Sequence, residues 1–219
     1  KGKTILEWFH TILWKGIWEY ISRRVEEDNI RRKDMILSLD CSTTAIGWSV
    51  WNEDDLIEYG RLIPTVDKLE WRDRIRNFIP QLNDMINKYN PTKIYAENVP
   101  MGGAGGNIVL AQLFCLQGAI MGLVYERGIE IEYINVGTWR KNIGIGDGDK
   151  QRDSKKVRSI QKANELFGLE LPCLFTKGGN YKPCGSDDIS DSILIYASTR
   201  DKYKVQEKKF GRRWLDEYW

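Results

Sequence analysis

Met35-Ile-Leu-Ser-Leu-Asp40-Cys-Ser-Thr-Thr-Ala-Ile-Gly-Trp48 is the stretch that decides the fold. Met35–Asp40 is a short β-run that closes on an acid, and Ala45–Asn52, rich in Ile, Trp and Val, is a second. Leu56–Ile63 follows the turn-like Asn52-Glu-Asp-Asp55, so the three runs predict an antiparallel meander. Residues 66–89 have helical periodicity, with Pro80 expected to kink or divide the helix. Lys93–Glu97 is another short strand that ends on an acid, and beyond Gly102-Gly-Ala-Gly-Gly106 a long apolar helix is expected from Ile108 to Glu126. A strand at Ile129–Ile134, a helix near 152–167, a loop over 168–186 and a last helix from Asp187 to Arg200 complete the order. That order predicts an α/β layer fold with helices on both faces of the sheet.

Around this unit, 219 residues suit one domain with an appendage. Lys plus Arg number 33 and Asp plus Glu 31, and 42% of residues are apolar, which excludes a basic tail or a disordered acidic segment. No internal repeat is present. Residues 1–34 read as an N-terminal helical extension: Ile5, Trp8, Phe9, Ile12, Leu13, Ile17, Tyr20 and Ile21 fall near helical spacing. This extension is expected to pack on the main domain or on a dimer partner. Membrane-surface contact is the alternative, although Glu7, Lys15 and Glu19 interrupt the apolar face. Residues 35–200 form the main domain and 201–219 a basic, aromatic tail. No run is read as approaching the ~20 apolar residues of a membrane span, and no secretory leader is visible, so the cytoplasm is the expected location. Cys41, Cys115, Cys173 and Cys184 are too sparse for a disulfide framework and fit a reducing compartment.

Three places bring carboxylates toward one another. Asp40 and Glu97 end apolar strands, where a buried charge is costly unless paired or metal-bound. Asp188 and Asp191, at i and i+3, share one face of the last helix, with Ile193, Leu194 and Ala197 as the side that holds it to the sheet. Four carboxylates with no convergent cation suit hard divalent ions, most naturally a Mg²⁺ pair. Taken singly, Asp187 and Asp188 could equally be helix-capping residues. The only histidine, His10, lies far from the acids in sequence, so histidine-based general-base chemistry is not expected. Residues 140–162 hold eight basic side chains against three acids, and residues 200–213 hold seven against two.

Leu39-Asp40-Cys-Ser-Thr-Thr-Ala-Ile-Gly-Trp48, Tyr95-Ala-Glu97 before a glycine-rich loop, and Asp188-Ile-Ser-Asp191-Ser-Ile-Leu together resemble the RuvC-type Holliday junction resolvases, most closely their phage and divergent members. The resemblance covers about residues 35–200. It implies a ribonuclease H-like mixed five-stranded sheet with helices on both faces, a homodimer, and Mg²⁺-dependent cutting of four-way or other branched DNA, with Mn²⁺ able to substitute. Asp40, Glu97, Asp188 and Asp191 correspond to the metal-binding catalytic acids, and Lys155 or Lys156 to a lysine near the scissile phosphate. Lys150, Arg152, Lys155, Lys156 and Arg158, with the loop at Met101, Gly102 and Gly103, are the expected DNA contacts. Leu110, Leu113, Phe114, Gln117 and Met121 are the expected dimer seam. Where well-studied bacterial members carry an aromatic wedge three residues past the strand acid, this chain has Pro100, then Met101.

Two other readings compete. Asp40-Cys-Ser-Thr-Thr-Ala-Ile-Gly47 also resembles the first phosphate loop of actin-like ATPases and sugar kinases, but those folds need a second half that is not visible here. A catalytically silent junction-binding protein would keep the basic patches and lose the acids, and all four acids are present.

Overall fold

The computed structural model describes residues 35–66, 69–99, 106–145 and 152–205. The N-terminal extension, the contacts expected at Met101, Gly102, Gly103 and Lys150, and most of the C-terminal tail lie outside the described residues. So does the Arg152 side chain. A mixed five-stranded sheet runs in the order β3 (Asp55–Leu62), β2 (Ile46–Asn52), β1 (Met35–Cys41), β4 (Lys93–Glu97), β5 (Glu130–Ile134). The meander β1–β2–β3 is antiparallel, and β4 and β5 add in parallel, as the expected layer fold requires.

Strand alternation sorts the residues of β1 and β4 onto two faces. Leu37, Leu39, Ile94 and Ala96 enter the core under α1 (Trp71–Tyr89) and α2 (Gly106–Glu126). Ile36 and Tyr95 face the opposite core, built with α3 (Val136–Ile143), α4 (Arg152–Phe167) and α5 (Ser186–Ala197). By period two, Asp40 and Glu97 share that second face. The parallel register Leu39↔Ala96 makes them neighbours on adjacent strands.

α5 carries the remaining acids and is almost wholly buried. Ile193, Leu194 and Ile195 are fully buried, each worth roughly 1.5–3 kcal/mol relative to exposure. This burial holds the helix, and the carboxylates it carries, against the acids of the sheet. Small residues let it come close: Ser49 Oγ donates to the Ser192 carbonyl at 3.1 Å, and Trp51 Nε1 donates to Ser49 Oγ at 2.9 Å.

Several expectations need correction. Pro80 lies inside α1 without dividing it, because Phe78, Leu82, Met85 and Ile86 anchor both halves in the core. α3 was not expected; its Gly137, Thr138 and Asn142 are weak helix formers, and burial of Trp139 and Ile143 one turn apart stabilises it instead. The segment read as a loop over 168–186 contains a hairpin of β6 (Leu174–Phe175) and β7 (Tyr181–Lys182). α2, contrary to the reading of no such run, is long and apolar enough to cross a membrane between Asn107 and Glu126. Leu116, Ile120 and Val124 nevertheless bury one side of it in the core, while Phe114 and Met121 on the other side are about half exposed. Gln117, expected at a dimer seam, is buried and donates to the Glu97 carbonyl at 3.0 Å. Leu113 likewise turns toward the acids rather than outward.

Candidate active site

Asp40, Glu97, Asp187, Asp188 and Asp191 line one cleft of about 340 Å³, with Arg140, Lys155 and Lys156 on its rim. The four acids singled out in the sequence are thus brought together, and Asp187 joins them. Asp187 is not a cap, since α5 is capped by Gly185, whose backbone is left-handed at φ 86°.

Close approach of backbone to backbone makes the cluster. Gly47 pairs with Asp40 across the β1–β2 ladder and sits beneath the first turn of α5. A Cβ at Gly47 would stand 1.9 Å from the Asp188 carbonyl oxygen, so only glycine admits the helix at this height. Arg61 pairs with Gly47 from the other side and reaches Asp188, Nη2 to Oδ2, at 2.7 Å. It crosses Gly185, where a Cβ would lie 2.1 Å from its Nη1.

The cleft is not free of convergent cations, as the sequence reading had it. Arg61 pairs with Asp188, Lys156 with Asp187, and Arg140 meets Asp191 at 3.4 Å. Trp139 Nε1 donates to Glu97 Oε2 at 2.9 Å, and the Tyr181 hydroxyl donates to Asp187 Oδ1 at 2.9 Å. Arg61 was not singled out in the sequence; its place follows from the meander register, two strands from Asp40. Trp139 and Tyr181 gave no signal, because their roles depend on α3 and on the hairpin, neither of which was expected.

Charge crowding shifts the acids. Burial, then the charges of Glu97, Asp191, Asp188 and Asp187, hold Asp40 well above the ordinary carboxylate range. Burial pushes Asp191 up to about 7 against the opposing charge of Arg140, with Glu97 adding to the rise. Burial also raises Glu97, offset in part by Trp139 and Arg140, and raises Asp188 together with Asp187, against Arg61. At Asp187 burial acts upward too, but the Lys156 ammonium and the Tyr181 hydroxyl outweigh it and the carboxyl is lowered.

Such a site fits a divalent cation with a preference for oxygen. Among the described residues no group of three His, Cys, Asp or Glu side chains stands ready to ligate one ion, and basic side chains pair with Asp187, Asp188 and Asp191. One oxygen is left over: Asp191 Oδ1 is buried and completes no hydrogen bond, although the Ser159 hydroxyl lies near that carboxylate. An all-carboxylate donor set with raised proton affinity and an unsatisfied oxygen suits Mg²⁺ or Mn²⁺.

Stability of the metal-free protein should fall as pH rises. Unfolded, Asp191 ionises near pH 3.8; folded, it keeps its proton to about pH 7. Across that window the unfolded state binds fewer protons, so the unfolding free energy declines, and Asp40 acts in the same direction. Asp187 has the opposite sign, but its contribution is lost only below its ordinary range, outside the interval tested. In EDTA the urea midpoint should drop by roughly 1 M between pH 5 and pH 8, and millimolar Mg²⁺ should restore it at pH 8. A midpoint that is flat or rises across this interval would contradict the assignment.

No family model matches the chain, and no curated protein sequence does. Solved structures do match. RuvC of Thermus thermophilus, in complex with Holliday junction substrate, is 13% identical, with a TM-score of 0.55 over 74% of this chain and 89% of that one. A second structure of Thermus thermophilus RuvC is 12% identical, with a TM-score of 0.51 over 74% of this chain and 90% of that one. The yeast mitochondrial Holliday junction resolvase Ydc2 is 15% identical, at a TM-score of 0.47 over 80% of this chain and 83% of that one. With its mixed five-stranded sheet, order β3-β2-β1-β4-β5, and helices on both faces, the chain has the ribonuclease H-like fold that RuvC also has.

Proposed function

We propose that the protein is a structure-selective endonuclease that hydrolyses phosphodiester bonds at four-way or other branched DNA junctions. The observation that carries this reading is the convergence of Asp40, Glu97, Asp188 and Asp191 on one cleft rimmed by Lys155, Lys156 and Arg140. Carboxylates for metal lie beside cations for phosphate, on a fold shared with a resolvase that was solved on its junction substrate.

Asp40, on the central strand of the sheet and raised by burial and then by its neighbours, would hold the divalent ions together with Glu97, Asp188 and Asp191. When bound, a divalent pair supplies an activated water and stabilises the leaving 3′ oxygen, which gives 5′-phosphate and 3′-hydroxyl ends. Without metal, Arg61 and Arg140 offset the charge of Asp188 and Asp191. Lys156, seated on Asp187, faces the charge that develops on the phosphate. Lys150, Arg152 and Lys155 would bind backbone phosphates, giving affinity that depends on salt and carries little sequence information. Two strands must be cut, so we assign the half-exposed Phe114 and Met121 of α2, with Leu110 beside them, to a homodimer seam.

The test is cleavage of a labelled four-way junction against matched linear duplex, with Mg²⁺ or EDTA. Metal-dependent paired nicks in the junction alone are expected; tight binding without cutting would favour a silent binder. The same assay separates the two lysines. Lys156→Ala should slow single-turnover cleavage about a hundredfold or more at saturating protein. Lys155→Ala should mainly weaken binding and flatten its salt dependence. Equal losses in rate would contradict the assignment to Lys156.

A further inference from the structure

α4 and the β6–β7 hairpin enclose a second cleft, of about 330 Å³, that none of the chemistry above uses. α4 contributes Ser154, Val157 and Arg158, at i, i+3 and i+4, and the hairpin contributes Phe175, Asn180 and Tyr181. Tyr181 stands between this cleft and the acids: it lines the cleft, and its hydroxyl donates to Asp187 at 2.9 Å. Asp187 lines the first cleft, so the Tyr181–Asp187 hydrogen bond links the two.

The platform is preorganised and uncovered. The hairpin tip is closed by Thr176 N–H to the Asn180 carbonyl at 2.8 Å and by Gly179 N–H to the Thr176 carbonyl at 3.0 Å, with Gly179 left-handed at φ 79°. Phe175 nevertheless leaves 54% of its surface in water, and Leu174 beside it leaves 44%. Residues 171–186 contain Lys177 and Lys182 and no acid, so the approach to the cleft attracts a polyanion.

An aromatic face beside Val157, with a guanidinium, an amide and a hydroxyl around it, matches a planar heterocycle that carries donors and acceptors on its edge. This is the composition by which proteins hold unstacked bases. Asn180 can both donate and accept along such an edge. We propose that this cleft seats a nucleobase taken out of the stack on the DNA strand whose phosphate lies at the acids, with Phe175 stacking on the base and Arg158 and Asn180 bonding its edge. A branch point provides such a base at low cost, because its stacking is already interrupted. The proposal rests on the nuclease reading and deepens it: the base beside the cut, not only the backbone, would be inspected.

A thermodynamic cycle tests it. Full-length Asp40→Asn protein, which should bind without cutting, is titrated by fluorescence anisotropy against four-way junctions that carry single abasic sites at each position flanking the branch point. One abasic position should weaken binding about tenfold, and Phe175→Ala should weaken binding of the intact junction about as much. Combined, the two changes should cost no more than either alone, and Phe175→Trp should retain tight binding. If the intact junction is preferred over linear duplex but no abasic position matters, or if the two losses multiply, the base seat is overturned and the nuclease reading stands. If the intact junction is not preferred at all, the nuclease reading fails and the base seat fails with it. Phe175 is more than half exposed, so an unchanged melting temperature for Phe175→Ala confirms that the fold is intact.

Discussion

Asp40→Asn is expected to lower junction cleavage by at least about a thousandfold while making the metal-free protein more stable than the wild type. The two effects have one cause. Asp40 is half-buried, and its desolvation together with four neighbouring carboxylates, Glu97, Asp191, Asp188 and Asp187, raises its proton affinity. At neutral pH the fold either ionises it against that repulsion or holds a proton on it, and both cost free energy relative to the unfolded chain. Asparagine is nearly isosteric and removes the charge, so the repulsion disappears with the metal ligand. The stability gain should be on the order of 1–2 kcal/mol at pH 8, read as a rise of roughly 2–8 °C in melting temperature in EDTA. At pH 5 the gain should shrink, because lower pH favours the protonated carboxyl toward which the fold already shifts Asp40. Single-turnover cleavage in Mg²⁺ and a melt in EDTA measure the two arms. A variant that loses both activity and stability would make Asp40 a structural residue; one that keeps cutting would remove it from the site.

The same opposition between stability and charge explains which parts of the site could be read without coordinates. A carboxylate at the end of an apolar strand is locally inconsistent, and such inconsistency marks a site. Asp40 and Glu97 stood out for that reason, and strand alternation then put them on one face. Asp188 and Asp191 stood out through helical spacing. Their neutralising partners did not. Arg61 and Arg140 are ordinary surface residues in one dimension, and Lys156 stood out as a lysine near the phosphate but not as the partner of Asp187; their pairings come from register, from α3 and from α4. For Asp187 capping stood as the alternative, because caps are common where Asp precedes an apolar run; the left-handed Gly185 takes the cap, and Asp187 pairs with Lys156 and Tyr181. The hairpin was read as loop because two-residue strands carry no periodicity. Gln117 was misplaced for a different reason: on a helix apolar nearly all round, composition does not show which face is buried, and the open Glu97 carbonyl decided it.

Gly47→Ala is expected to lower cleavage by about a hundredfold or more and to reduce stability by about 2–3 kcal/mol, although residue 47 touches no substrate. Its Cβ would fall 1.9 Å from the Asp188 carbonyl oxygen and 2.3 Å from its carbonyl carbon, and both are backbone atoms of a buried helix. No rotamer change relieves such a contact. The first turn of α5 must lift from the sheet by the order of an ångström, and it carries Asp187, Asp188 and Asp191 away from Asp40 and Glu97. The anchoring residues Ile193, Leu194 and Ile195 sit further along the helix, so the motion is a tilt that widens the cleft rather than a loss of the whole element. Mg²⁺ should therefore stabilise the variant less than it stabilises the wild type, a readout that a general loss of stability would not produce. Gly60→Ala gives a graded comparison, since its nearest obstacle, at 2.8 Å, belongs to the Trp48 ring, a side chain that can yield. Gly137→Ala, with nothing within 4 Å and a helical backbone, should be neutral or stabilising by about 0.5–1 kcal/mol. If all three variants behave alike, the site does not depend on this close approach. If only Gly47→Ala loses both activity and the response to Mg²⁺, the spacing between β2 and α5 sets the geometry of the acids.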